Sequence, residues 1–346
     1  MSTHAAAAAP AESARARRLT EWVLRVRELG IVGALALLIA VTAILEPRFI
    51  EANSLRNLAL NASIFAILAV GQTLVIITRN VDLSVGSVLG LSAFLAGDLL
   101  SGSADMPIPL VFLLGIALGA ACGLLNGVLV TWGQVPALVV TLGTLYAFRG
   151  LAFLWTDGRQ VNAETLPDSF LNLGTDSLIG VPILVWIALV IVIVVGQWLR
   201  DWRPGRELYA IGSNPEGARL AGVRSGRRVL IAFVLAGALA GLGGVLFTAR
   251  FGTVDATAGV GDELTVIAAA VVGGVAIFGG TGTVYGAALG ALLLGTITSS
   301  LIVLRVEAFW QMAAIGALLL VAIALDRFVA IRIEASLRRR SARRAD

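Results

Sequence analysis

The chain has 346 residues, of which 58% are hydrophobic and only 14% charged, with a mean hydropathy of +0.91. A soluble domain carries about 25% charged residues, so the composition argues against a soluble enzyme and for a polytopic membrane protein. Cys122 is the only cysteine, His4 the only histidine, and all 26 basic residues are arginine. These counts argue against disulfides, histidine-based catalysis, His/Cys metal centres and a lysine-dependent phosphate loop.

Residues 1–28 read as an Ala- and Arg-rich tail, without a small-residue cleavage site after the first apolar run. Ten apolar segments follow, at about 29–45, 58–78, 83–100, 109–131, 135–154, 179–199, 229–249, 264–278, 284–304 and 308–325. A hydrocarbon core of about 30 Å needs roughly 20 helical residues. The expected fold is therefore an all-α membrane protein of about ten transmembrane helices. Its membrane domain is expected at 29–326, followed by a basic tail at 327–346. The eighth segment is short and glycine-rich.

Arginine placement sets the expected orientation. With a cytoplasmic N-terminus, twenty arginines fall inside and five outside, while Arg149 falls within a span. Both termini are then cytoplasmic, and the acidic 155–178 loop lies outside. The same mapping explains the pI near 10.1 as topology-setting charge, with no nucleic-acid partner implied.

Between the second and third segments the chain reads TRNVDLSVGS, at 78–87. Arg79 fits the inside rule, and Asp82 is placed to cap a helix opened by Ser84, Gly86 and Gly90. In the fourth segment Gly115, Gly119, Gly123 and Gly127 recur every four residues. That spacing draws a smooth stripe for a close helix partner, and Gly237 with Gly241 and Gly286 with Gly290 repeat it. Gly280, Gly282 and Gly286 superficially mimic a dinucleotide-binding loop, but their spacing is wrong and no β/α alternation surrounds them. They read as a tight turn. Charges within spans are costly. Asp98 and Arg149, near the outer ends of spans three and five, either pair, flank a vestibule or snorkel to the interface. Gln72, Asp82, Ser84, Asp98, Asn126 and Arg149 are the candidate path or gate residues.

The loop at 200–228 contains SNPEGARLAG. Ser213 or Asn214 can cap a short helix, Pro215 suits its first turn, and Glu216 favours the positive dipole end. Arg219 lies a turn later and Gly222 suits the stop. A helix of two turns is marginal alone in water, which points to a docking surface.

The stretches VGQTLVIITRNVDLSVGSVLGL, GLLNGVLVTWGQVPALVVTLGTLYAFRG, GRELYAIGSNPEGARLAGV and AAAVVGGVAIFGGTGTVYGAALGALLLG resemble the ribose-type permeases of bacterial ABC importers. That group includes ribose, rhamnose, xylose and autoinducer-2 permeases and is related to branched-chain amino acid permeases. The resemblance runs over roughly residues 30–328. TRNVDLSVGS and VLRVEAFW look most like autoinducer-2 or rhamnose permeases.

The resemblance implies a permease subunit in the cytoplasmic (inner) membrane, with no cofactor and no bond chemistry of its own. The implied partners are a cytoplasmic ABC ATPase, an extracytoplasmic solute-binding protein and a second permease chain, identical or paralogous. It also implies that 206–223 is the segment that meets the ATPase, through Arg206, Asn214, Pro215, Glu216, Arg219 and Gly222. Gly217 departs from the pattern, since relatives often have Ala there. Glycine weakens a helix interior by about 1 kcal/mol, so this helix is expected to need its partner. A competing reading is an ion-coupled secondary transporter using Asp98 and Arg149.

Overall fold

The structure, a computed structural model, describes residues 29–103, 106–307 and 309–324. The two predicted tails, at 1–28 and from 327 onward, lie outside the described residues. The helices are α1 (Leu29–Leu45), α2 (Ala52–Ile77), α3 (Val85–Gly102), α4 (Ile108–Thr131), α5 (Ala137–Thr156), α6 (Asp168–Thr175) and α7 (Ile183–Asp201). They continue as α8 (Arg203–Ser213), α9 (Pro215–Leu220), α10 (Ser225–Phe251), α11 (Asp262–Val272), α12 (Val284–Val303) and α13 (Phe309–Ala324).

All ten apolar segments fall on helices, but seven of these helices are long and apolar enough to cross a membrane unaided: α2, α3, α4, α5, α7, α10 and α12. At 1.5 Å per residue they span about 27–40 Å. Seven of the ten expected spans are full-length helices by this measure. α1 and α13 are shorter, and the eighth segment holds only the 11-residue α11, about 16 Å long. After α11 the backbone leaves helical geometry through Gly274, Gly279, Gly280 and Gly282, all with positive φ. The flanking Val271 and Val275 are fully buried. Irregular backbone inside a membrane protein is tolerated where protein encloses it. The glycines here form the expected turn.

The sixth segment begins later than expected. Residues Ser177–Leu178 and Val181–Pro182 form a small antiparallel hairpin, β1 and β2, and α7 starts only after Pro182. Ile179 and Gly180 both have positive φ, the requirement of the tight turn that matches strand twist. Apolar composition alone did not distinguish this hairpin from the helix it precedes.

α2 and α10 form the centre. From Leu58 onward α2 is almost wholly buried, packed against α7, α10, α11 and α12, while α10 also packs along α3 and α4. α4, α5 and α7 instead expose large apolar side chains such as Leu113, Leu138, Leu142 and Val190, as lipid-facing or partner-facing helices do. The glycine stripe of α4 does pack as expected. Methyl groups at Gly119 or Gly123 would overlap the backbone oxygens of Gly237 and Phe233 on α10. Gly286 and Gly290 of α12 meet Gly273 and Ala269 in the same way.

Gly119→Ala is therefore expected to lower the melting temperature of the purified protein, with an overpacking cost of about 1–3 kcal/mol. Gly143→Ala in α5, where the space is open, is expected to be neutral or slightly stabilising. Equal melting of the two variants would contradict this packing.

Candidate functional site

α2 ends at Ile77, and α3 begins at Val85 after seven residues that turn inward. Arg79 at the start of this break is exposed and Asn80 half-buried, whereas Asp82 is 3% exposed and Ser84 fully buried. One Asp82 oxygen accepts from the Ser84 backbone N–H at 2.8 Å and from the Ser84 hydroxyl at 2.7 Å. These bonds close an Asx-type turn ahead of α3 rather than the cap anticipated from sequence: Ser84 itself occupies the N-cap position, and no side chain caps the helix. The Ser84 hydroxyl in turn accepts from the Asn126 amide on α4 at 2.8 Å. The Gln72 carboxamide on α2, oriented to satisfy both groups, donates to the Asp82 carbonyl and accepts from the Asp82 N–H, each at 3.2 Å. Thr141 on α5 donates to the Val81 carbonyl at 3.2 Å.

Gln72, Asp82, Ser84 and Asn126 thus meet in one buried cluster contributed by α2, the break and α4. No ion pair among the described residues reaches Asp82. Asn126 Oδ1 is buried and has no donor, although buried acceptors are nearly always paired. The cluster is thus polar, enclosed and incompletely satisfied.

Asp98 and Arg149 do not join it, nor do they pair. Asp98 pairs with Arg159 at 3.3 Å, and Arg159 also lies 5.9 Å from the Phe94 ring centre. Arg149 donates to the Ala256 and Ala258 carbonyls at 2.9 and 2.6 Å. It braces the loop between α10 and α11, whose carbonyls have no helical donors. The Trp155 ring meets Phe94 edge-on at 5.8 Å. The Asp98–Arg149 pairing weighed from sequence is corrected by these nearer partners.

At the end of α2 a second feature adjoins the break. α8 and α9 form two short helices, and Asn214 caps α9 by accepting from the Gly217 N–H at 2.9 Å. Pro215 occupies the first turn, and Gly222 ends the segment with φ +78°. Glu216 and Arg219 are exposed and 3.9 Å apart. Ala218 is buried, while Leu220 at the tip is 79% exposed. The helix runs for six residues, Pro215–Leu220. A methyl at Gly217 would come within 2.8 Å of the Asn214 amide nitrogen, so glycine leaves room for the cap. Arg206 lies on α8, where its guanidinium donates to the Asp201 carbonyl at 2.6 Å.

Sequence reasoning missed Glu207. On α8 it accepts from Arg203 at 2.8 Å and from Arg228 of α10. The i,i+4 spacing from Arg203 to Glu207 was legible; the Arg228 link, 21 residues away, was not. The Arg228 hydrogen bond, reinforced by Arg203, holds the Glu207 carboxyl below its usual range, although burial pushes the other way. A depressed carboxylate pKa stabilises the fold above the unfolded value of about 4.3, and that contribution is lost as pH falls through the folded value. Wild type is therefore expected to melt higher than Glu207→Gln at pH 7, with the gap closing at about pH 4 and below. A gap independent of pH would contradict the role given to this carboxylate.

Residues 54–323 match the family model described as branched-chain amino acid transport system / permease component. The chain is 38% identical over 313 residues to the autoinducer 2 import system permease protein LsrC of Escherichia coli (strain K12 / DH10B), covering 90% of each chain. It is 37% identical to the protein of that name from Salmonella choleraesuis (strain SC-B67), covering 90% of this chain and 89% of that one. The identity is also 37% to the one from Photorhabdus luminescens, over 87% and 89%. No solved structure matches. Such permeases are multi-pass proteins of the inner membrane and are transport components rather than enzymes. The family-model match over residues 54–323 and the 38% identity over 90% of the chain show that it belongs to the branched-chain amino acid transport system permease family, in its ribose-type branch.

Proposed function

We propose that this chain is the translocation subunit of an ATP-driven importer for a small polyhydroxylated solute, of the autoinducer-2 or monosaccharide class. The observation that carries this reading is the end-to-end similarity to an import-system permease, on a chain that presents a preformed, capped and exposed α9. The arginine-rich loops support a cytoplasmic side for α8 and α9. There α9 offers Asn214, Pro215, Glu216, Arg219 and the exposed Leu220 to an ATPase subunit, with Ala218 and the Glu207–Arg228 pair anchoring it from behind. Arg206 and Gly222 bound this segment. A solute-binding protein docks on the opposite face, and a second permease chain completes the pathway.

Gln72, Asp82, Ser84 and Asn126 form the inner gate in this reading. Their cluster is sealed in the present conformation. Opening it exposes a carboxylate, two amides and a hydroxyl, groups that hydrogen-bond to solute hydroxyls. Asp98 and Arg149 brace loops beside the outer mouth. All ten apolar segments cross the membrane here, the eighth as half-helix plus glycine-rich turn, with both termini cytoplasmic.

The test is uptake by proteoliposomes holding the chain with its ATPase and solute-binding protein. Glu216→Arg is expected to cut uptake at least tenfold while insertion and melting temperature stay unchanged. Wild-type uptake by that variant removes Glu216 from the interface, and uptake that persists with a hydrolysis-dead ATPase contradicts the importer reading.

A further inference from the structure

The exposed α9 and the buried Asp82 cluster are distant in sequence, yet one side chain of the break that holds Asp82 reaches the end of α8, next to α9. Arg79 stands three residues before Asp82, with a left-handed backbone at φ 66°. Its Nε donates to the Gly212 carbonyl and its Nη2 to the Ser213 carbonyl at 3.0 Å. These carbonyls close the last turn of α8, where no intrahelical donor reaches them, and a cation there also meets the negative end of the helix dipole. The next residue, Asn214, caps α9.

The joint has a third limb. The Gly280 N–H donates to the Ile77 carbonyl at 2.9 Å, and the Ser213 hydroxyl donates to the Gly280 carbonyl at 3.3 Å. The end of α2, the end of α8 and the turn before α12 therefore meet at one point. There is no slack: a methyl at Gly212 would overlap the Ile77 carbonyl oxygen, and one at Gly279 would press on the Arg79 side chain at 2.5 Å. An arginine that served only to set topology would extend into water. Arg79 instead turns its guanidinium back onto two backbone carbonyls, in a left-handed conformation that a non-glycine residue adopts at a cost.

We propose that Arg79 is the positioning residue that couples α9 to the gate. Displacement of α9 carries the Gly212 and Ser213 carbonyls with it. The guanidinium fork transmits that movement to the 79–84 segment, and the Gln72–Asp82–Ser84–Asn126 cluster opens or closes in response. This rests on the importer reading above. The planar fork matters because it holds two carbonyls at once, whereas a lysine presents one point charge on a flexible stem.

The experiment uses the complete importer, with ATPase and solute-binding protein, in proteoliposomes. Arg79→Gly suits the left-handed backbone, so it removes the fork while keeping the turn; Arg79→Lys keeps the charge. Three quantities are read: ATPase retained on purification, basal ATP hydrolysis, and solute imported per ATP hydrolysed. Arg79→Gly is expected to keep the first two within twofold of wild type and to lower the third at least tenfold, with Arg79→Lys intermediate. An import-to-hydrolysis ratio within twofold of wild type in either variant overturns the proposal. So does loss of ATPase binding in both variants, which makes Arg79 a support for the docking face only. Failure of the importer reading is distinguishable, because wild type itself then shows no ATP-dependent uptake.

Discussion

A chain that crosses hydrocarbon must satisfy its backbone N–H and C=O groups within itself, and each departure from helix in this protein is arranged around that constraint. The 78–84 break is wrapped by α2, α4 and α5. Gln72 and Thr141 meet backbone groups of Asp82 and Val81, Asp82 and Ser84 bond each other, Asn126 reaches Ser84, and Arg79 reaches Gly212 and Ser213. The turn after α11 is closed by glycines whose positive φ lets the backbone fold tightly on itself and against Ile77 and Ser213. Close helix contact makes such enclosure attainable. The α4–α10 seam has no room for a methyl at Gly119 or Gly123, so the central helices sit near enough to shield irregular segments.

The two non-helical segments have a common neighbour in the α8–α9 unit. Glu207 ties this unit to α10 through Arg228, and Arg79 ties it to the break. A force applied at the exposed tip of α9 therefore has rigid paths into the bundle. The buried cluster at the other end of one path has an orphan acceptor in Asn126 Oδ1. A buried network that is only partly satisfied has less to lose on rearrangement than a closed one, which suits a gate better than a scaffold.

Much of this was legible from the sequence because it is local. The apolar segments, the Asn214 cap, the Pro215 start and the Gly222 stop all depend on residues within a few positions of one another. The glycine stripe was legible because its spacing follows helix geometry. What was hidden is long-range. Ser84 and Asn126 are 42 residues apart, and Asp98 meets Arg159 across 61. Spacing within one helix cannot predict such meetings. Arg79 illustrates the difference: its type and place announced topology, but its bonds to Gly212 and Ser213, 133 and 134 residues on, were invisible. The β1–β2 hairpin and the half-length α11 were hidden for another reason. Apolar composition reports burial, not whether the buried backbone is helical.

The central claim is that the break holds a gate sealed in the present state and opened through α9. The direct measurement is thiol accessibility of Ser84→Cys, made in a Cys122→Ala background and embedded in the complete importer. Ser84 is fully buried, so a water-soluble thiol reagent is expected to react slowly at rest. Trapping the ATPase with a non-hydrolysable nucleotide, with solute-binding protein present, is expected to change that rate at least tenfold. A thiol as reactive at rest as one at the exposed position 216, or one whose rate ignores the nucleotide state, would contradict the account.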